Sequence, residues 1–410
     1  MLSQNDNTRL TQVMPGTPMG ELLRQYWVPV MRSARVKSGG EPIRATIIGE
    51  KLVAWRAPDG SIGVMKEACP HRGASMALAR NEACGLRCVY HGWLISHDGE
   101  VKEAPSHPNT RDVAKLPSSV FPAYEHGQMI WTWLGEGEPP AFRPMSFGLL
   151  PDTHVEVATS LVRCNWMNMW ESLWDTFHAQ FLHSRTNRVL MGGTVRGKGY
   201  FSNSQFEADH IGFDDVTMES EQTNYGMRYV NDDKAKRSVF HHVFPWFLHH
   251  AVGPNEEDDQ AVQAYVPIDD DNCLLIQWMF NARHPLKPDG YASMLYGPMT
   301  NRDDFCWELP RDGAWGQNRA AMESGESFNG FPEAQALTIP YEDLAMGESQ
   351  GRIDRTQENL GPTDSVLLTG RRMFLNALKQ HQEGGKPLGR NEIVTALRSR
   401  MELKNIAPVE

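Results

Sequence analysis

Two short stretches constrain this chain more than anything else in it: Cys69-Pro70-His71 and, after 16 intervening residues, Cys88-Val89-Tyr90-His91. Each places one thiol and one imidazole on a tight loop, so two loops facing one another offer two Cys and two His. That donor set has two uses. Two thiolates can hold one iron of a [2Fe–2S] cluster while two neutral imidazoles hold the other, which raises the potential above that of an all-Cys cluster. The same set can hold structural zinc, but zinc sites of this composition usually keep both Cys in one half and both His in the other. Here each half mixes the two types, which favours the cluster. Cys84 lies between the halves and reads as a bystander thiol. Six cysteines in 410 residues are too few for a disulfide scaffold and suit a reducing compartment.

The surroundings of both loops read as an all-β domain. Runs such as Arg44–Ile48 and Lys51–Arg56 alternate with turn signals at Asp59-Gly60 and Asp98-Gly99, and Met129–Leu134 reads as the last strand. Upstream, Thr17 is a helix cap followed by Pro18 at the first helical position, with the helix expected over Met19–Trp27. Gly135–Pro140 is the best linker candidate. Beyond it come a helical stretch near 165–183 and strand-like runs at 213–230, 237–250, 261–267 and 273–281. An irregular helical region over 290–350 and a periodic helix over Ser365–Gln382 follow. The expected division is 1–27 as an arm and helix, 28–137 as the β domain and 138–410 as a second domain. The expected class is α+β.

Charge narrows the partners. Forty Lys+Arg against 51 Asp+Glu, a net −11, argues against nucleic acid held over a broad surface, and leaves room for a local cationic pocket. No apolar run approaches the roughly 20 residues of a membrane helix. The N-terminus has no basic start or apolar stretch, so the expected location is the cytoplasm.

A second constellation follows the linker: Glu171, Asp175, His178 and His183. Residues 175 and 178 share a helical face. Residues 178 and 183 are five apart, so a distortion, or a helix ending between them, is needed to aim both rings at one ion.

With its flanks, Cys69-Pro70-His71-Arg72-Gly73-Ala74 and Cys88-Val89-Tyr90-His91-Gly92-Trp93 resembles the Rieske ferredoxin signature, and Asp175-x-x-His178-x-x-x-x-His183 resembles the mononuclear-iron motif of Rieske non-heme iron ring-hydroxylating oxygenases. Thr11–Gly20, Arg80–Trp93 and Gly351–Arg355 ahead of Arg371-Arg372 are similar to the phthalate dioxygenase branch. The resemblance implies an N-terminal Rieske domain and a C-terminal helix-grip domain of antiparallel sheet and helices. It implies one [2Fe–2S] cluster on Cys69, His71, Cys88 and His91. It also implies one Fe(II) on His178, His183 and a downstream carboxylate. Asp343 is chosen from Tyr341–Gln350, with Glu342, Glu348 and Asp354 as alternatives. By the same resemblance Asp175 hydrogen-bonds His178 and reaches His91 of the partner subunit, which calls for a homotrimer or a pair of trimers.

The chain has no Gly-x-Gly-x-x-Gly fingerprint and no additional Cys₄ cluster. NADH and flavin chemistry is therefore expected from a separate reductase. The implied reaction is cis-dihydroxylation of an aromatic carboxylate with dioxygen. Differences over 94–125 and after 192 point from ortho-phthalate toward isophthalate. Arg196, Arg228 and Arg237, with Lys198 behind them, are the candidates for a substrate carboxylate, because a guanidinium fork matches it bidentately. His241, His242, Phe244 and Trp246 are candidate pocket walls. An O-demethylase or monooxygenase acting on a methoxy- or halobenzoate is the rival within the class. An electron-transfer or zinc-stabilised binding protein is the rival outside it.

Overall fold

A computed structural model of the chain describes residues 2–107, 110–113, 116, 119–180, 182–183, 216–233, 236–250, 259–286, 311–323, 329–331, 339–389 and 400–403. The chain forms two compact units, and neither is a single stretch of sequence. One comprises Gln12–Leu149 with Val266–Asp270; the other comprises Met1–Thr11, Leu150–Tyr265 and Asp271–Glu410.

The first unit carries both Cys/His loops. Its helix α2 (Pro18–Leu23) starts where expected: Thr17 Oγ1 accepts the Gly20 N–H at 3.2 Å. It ends sooner than expected, because Trp27 already begins strand β1 (Trp27–Arg32). Then come β2 (Ile43–Ile47), β3 (Glu50–Arg56), β4 (Ile62–Lys66), β5 (Arg80–Glu82), β6 (Gly85–Arg87), β7 (Leu94–Ile95) and β8 (Val101–Glu103). A short helix α3 (Thr110–Val113) precedes β9 (Val120–Phe121), β10 (Ala123–His126) and β11 (Met129–Trp133). They make three sheets, ordered β1-β11-β10, β2-β3-β4-β9 and β5-β6-β7-β8. Val53, Trp55, Met65, Met76, Leu86 and Ile95 pack with Cys69 and Cys88 into one core, so the thiols sit at the edge of packed apolar surface. The chain stays on this unit past the Gly135–Pro140 stretch. Phe142 stacks on Tyr124 at 4.3 Å and meets Trp131 edge-on at 5.6 Å, an aromatic anchor the linker signal did not reveal.

In the second unit the N-terminal residues form helix α1 (Gln4–Thr11), where only an arm was expected. A sheet of eight strands follows: β12 (Val155–Val162), β13 (Val216–Gln222), β14 (Gly226–Asp233), β15 (Lys236–Val243), β16 (Phe247–His250), β17 (Gln260–Pro267), β18 (Cys273–Phe280) and β19 (Arg400–Leu403). Its order is β12-β18-β17-β16-β15-β14-β13, with β19 against β15. Two expected runs split. The first, 213–230, turns at Thr223–Tyr225; Gly226 follows at φ +151°, where a Cβ would come 2.2 Å from the His242 carbonyl oxygen. The second, 237–250, breaks at Pro245, which has no N–H for the ladder.

Helices cover one face of this sheet: α4 (Trp166–Trp174), α6 (Ile339–Ser349) and α7 (Ser365–Gln382), with a short α5 (Arg319–Glu323) before α6. The last of them has the bounds its periodicity gave. Trp170 and Trp174 tie α4 down, their indole N–H groups donating to the Tyr265 carbonyl and to His242 Nδ1, each at 3.1 Å. Tyr229 donates to the Leu173 carbonyl at 2.8 Å. The face bearing Tyr229, His242 and Tyr265 is therefore the helix-covered one.

Candidate metal centres

The two Cys/His loops are folded alike. The Cys69 N–H donates to Ala74 O and the Gly73 N–H to Cys69 O; the Cys88 N–H donates to Trp93 O and the Gly92 N–H to Cys88 O, all at 2.8–2.9 Å. Gly73 and Gly92 take positive φ of +72° and +77°, which closes each loop beside its ligand residues. Both thiols are buried, while His71 and His91 are partly exposed, with ring centroids 4.6 Å apart. His71 stacks on Trp93 at 4.8 Å, nearly parallel, which holds its ring in place. Burial pushes the Cys69 thiol up to about 11. A thiolate there needs adjacent positive charge, as bound iron provides. Two adjacent sulfurs on the inside and two rings on the outside fit a cluster with a Cys₂ end and a His₂ end.

The second centre is built where α4 stops. Asn165 caps its start, its Oδ1 accepting the Met167 N–H at 3.0 Å. Asp175 ends it by accepting the N–H groups of Phe177 (3.0 Å) and His178 (3.3 Å) with one carboxylate oxygen. A single 3₁₀ turn, His178–Gln180, follows. The break needed to bring residues 178 and 183 together thus lies ahead of both histidines, and the helix expected over 165–183 ends at Trp174.

His178 Nε2 and His183 Nε2 lie 3.1 Å apart, and Asp343 Oδ1 lies 3.3 Å from the first and 3.1 Å from the second. Donors about 2.1 Å from one ion and at right angles to each other sit about 3 Å apart, whereas donors on opposite sides sit about 4.2 Å apart. All three spacings are of the first kind. The set can occupy one triangular face of an octahedron and leave the opposite face clear.

Both rings present the correct nitrogen. His178 Nδ1–H is taken by the Asp175 backbone carbonyl, and His183 Nδ1–H by Glu342 Oε2 at 2.7 Å. Glu342 is held in turn: the Asn329 amide donates to its other oxygen at 2.7 Å and to Leu182 O at 2.6 Å. So of two neighbours on α6, Asp343 faces the Nε2 atoms and Glu342 grips the back of a ring. Burial opposes charge on His183, but Asp343 and Glu342 outweigh it and hold the imidazolium up at about 10; the two histidines hold Asp343 well below the ordinary carboxylate range despite its burial. Loading a metal therefore displaces a proton from this site. Replacing Glu342 by Ala is expected to weaken iron(II) binding about 10- to 100-fold, read by chelator competition. Unchanged affinity would remove Glu342 from any orienting role.

The other candidates fall elsewhere. The Asp175 carboxylate, which was expected to hold His178, lies 3.9 Å from His178 Nδ1 and is 30% exposed, because one oxygen closes the turn and the backbone makes the ring contact. Glu171 joins Arg355 and Arg371, well back on α4. Glu348 accepts from the Arg163 N–H at 3.0 Å, and Asp354 caps the Thr356 N–H at 2.9 Å. Arg228 and Arg237 pair with Glu221 (3.3 Å) and Asp232 (3.0 Å). Arg228 alternates with Tyr229 on β14, and Arg237 stands directly opposite Asp232, so both point away from the helix-covered face. The structure does not bring them to the triad. Arg196 and Lys198 lie outside the described residues. His242, kept down at about 3 by burial, is packed against Trp170 and Trp174.

Comparison with known proteins matches both units. Residues 26–118 match the family model of the Rieske [2Fe-2S] domain, and residues 132–409 match one described as LigXa C-terminal domain like. The phthalate 4,5-dioxygenase oxygenase subunit of Pseudomonas putida is 31% identical over 96% of this chain and 90% of its own length. The 3-chlorobenzoate-3,4-dioxygenase oxygenase subunit of Comamonas testosteroni is 30% identical over 94% and 90%. The 5,5'-dehydrodivanillate O-demethylase oxygenase subunit of Sphingobium is 29% identical over 94% and 83%. Among solved structures, dicamba monooxygenase superposes with a TM-score of 0.57 at 18% identity, over 88% of this chain and 99% of that one. The oxygenase of carbazole 1,9a-dioxygenase, solved with its ferredoxin, gives 0.59 at 16%, over 94% and 99%. These two share the fold.

Proposed function

Because the chain belongs to the Rieske non-heme iron oxygenases, we propose that it is the oxygenase component of a system that cis-dihydroxylates an aromatic carboxylate, with isophthalate the first candidate. The observation that carries the reading is the right-angle spacing of His178, His183 and Asp343 in a chain that also has a Rieske domain.

When bound, the cluster supplies single electrons and the ferrous ion a place to activate dioxygen beside the substrate. The chain's own residues supply position. Asp175 and Glu342 fix the histidine tautomers from behind, and Asp343 adds the one negative charge among the three ligands. The Asp175 carboxylate keeps one oxygen free of the turn, and this reading sets it against His91 of the partner subunit in a ring of three copies. NADH electrons enter through a separate flavin or iron–sulfur reductase. Among the described arginines, 228 and 237 are engaged elsewhere, so Arg196 is the remaining candidate of that set for the substrate carboxylate.

A panel of phthalate isomers and substituted benzoates, supplied with NADH and a competent reductase, tests the reading by oxygen uptake and labelled dioxygen. Two labels in a dihydrodiol are expected. The relative acting on dehydrodivanillate makes O-demethylation the second reading, and an unlabelled phenol with the single label leaving in promptly trapped formaldehyde would establish it. No uptake with any member would reject both.

A further inference from the structure

Opposed residues on neighbouring strands share a face, so the helix-covered face of the sheet reads in rows. One row holds Met227, His242, Leu248 and Gln263. In the next, Tyr229 and Phe240 stand opposite each other with rings stacked at 4.8 Å, and Phe240 meets His250 edge-on at 6.3 Å. Tyr229 of this row donates to the Leu173 carbonyl at 2.8 Å, at the end of α4 just ahead of His178, and the Asp343 charge reaches His250. This row therefore leads toward the triad.

The row after it holds Asn231 and Ser238, directly opposed on β14 and β15. They are 4% and 2% exposed, yet among the described residues neither Asn231 Oδ1 nor Ser238 Oγ has a hydrogen-bond partner. One buried polar atom without a partner is destabilising; two in register on one face call for a reason. The row lies two residues, or about 7 Å along the strands, from the row that meets His250. That is roughly the span of a substituted benzene ring.

We propose that Asn231 and Ser238 form a substrate subsite for a neutral oxygen substituent, a hydroxyl or ether, on the aromatic ring. The proposal rests on the oxygenase reading above, keeps its aromatic carboxylate, and replaces isophthalate by a 3-hydroxy- or 3-methoxybenzoate as the first candidate. A phenolic O–H can donate to Asn231 Oδ1 while its oxygen accepts from Ser238, so one group satisfies both residues. A carboxylate fits less well. It would lose its water against a carboxamide and a hydroxyl, neither of which carries a compensating charge.

The test uses the cluster- and iron-loaded oxygenase and its Ser238→Ala and Asn231→Leu variants. Calorimetric affinities for 3-hydroxybenzoate, 3-methoxybenzoate, benzoate and isophthalate are compared, alongside melting temperatures without ligand and oxygen uptake. The unmodified enzyme is expected to prefer 3-hydroxybenzoate or 3-methoxybenzoate over benzoate and isophthalate. Each variant is expected to lose about tenfold for the preferred ligand, the scale of one buried hydrogen bond, while benzoate affinity holds. The variants are also expected to melt no lower than the parent, since each removes a buried oxygen that has no partner among the described residues. Equal loss for all four ligands, or a lowered melting temperature, would mark the pair as structural and overturn the subsite. Tighter binding of isophthalate would overturn the neutral class. Uptake by the parent with unchanged selectivity in both variants would reject the subsite and keep the oxygenase reading. No binding and no uptake by the parent would reject both.

Discussion

His183→Ala protein is expected to purify with its iron–sulfur absorption intact, one iron fewer per chain, and turnover lower by about 10³-fold or more, the scale of losing a core element of catalytic machinery. Three donors about 3 Å apart close on one ion. Removing the ring that contacts both Asp343 Oδ1 (3.1 Å) and His178 Nε2 (3.1 Å) leaves only two of them. It also leaves the buried Glu342 with Asn329 but no imidazole. The cluster loops lie in the other unit, so their visible absorption is an internal control for folding. Iron analysis and oxygen uptake on the same preparation decide it. A full iron complement, or undiminished turnover, would mean that His183 is not a ligand, and the mechanism proposed here would fall with it.

The second large effect concerns stability. Arg371 is buried and donates to Glu171 Oε1 at 2.7 Å and, with both terminal nitrogens, to Glu358. Arg355 holds the other oxygen of Glu171. Arg371→Met is expected to cost about 3–5 kcal/mol, because Glu358 loses its partner and Glu171 keeps only half of its pairing in a buried place. The melting temperature should fall by roughly ten degrees in a unit of this size. Replacing Glu171 and Arg371 together by apolar residues should cost less than Arg371→Met alone, since fewer charges are left stranded. Equal melting temperatures for the parent and Arg371→Met would show that the network carries no stability. Glu171 lies one turn before Asp175, so the same network steadies the end of α4 from which His178 projects.

The cluster loops were legible because both are local: four ligand candidates lie within 23 residues and the flanking glycines are part of the signal. His178 and His183 were legible for the same reason. Asp343 was harder, standing 160 residues beyond His183 with carboxylates on either side of it in the chain. Consecutive residues of a helix point about 100° apart. That is why Asp343 and Glu342 meet opposite sides of one imidazole, a distinction that depends on how α6 is rotated. The arginines on β14 and β15 failed for the matching reason in a sheet. A shift of one residue turns every side chain over, and the register here depends on the Thr223–Tyr225 turn. Asn231 and Ser238 gave no signal, because being buried without a partner is a property of the folded chain.

Helix α1 has a consequence for the order of events during synthesis. It is made before the rest of its unit, yet its anchors come late: Asn7 accepts the Arg355 N–H at 2.9 Å, and the Thr11 carbonyl accepts from Asn165 at 2.8 Å. This unit cannot close before Arg355 has left the ribosome, and its slowest contacts are those between α1 and residues so far along the chain. Severing the chain near Gly135 would not release two self-sufficient halves; the downstream piece would lack its own first helix.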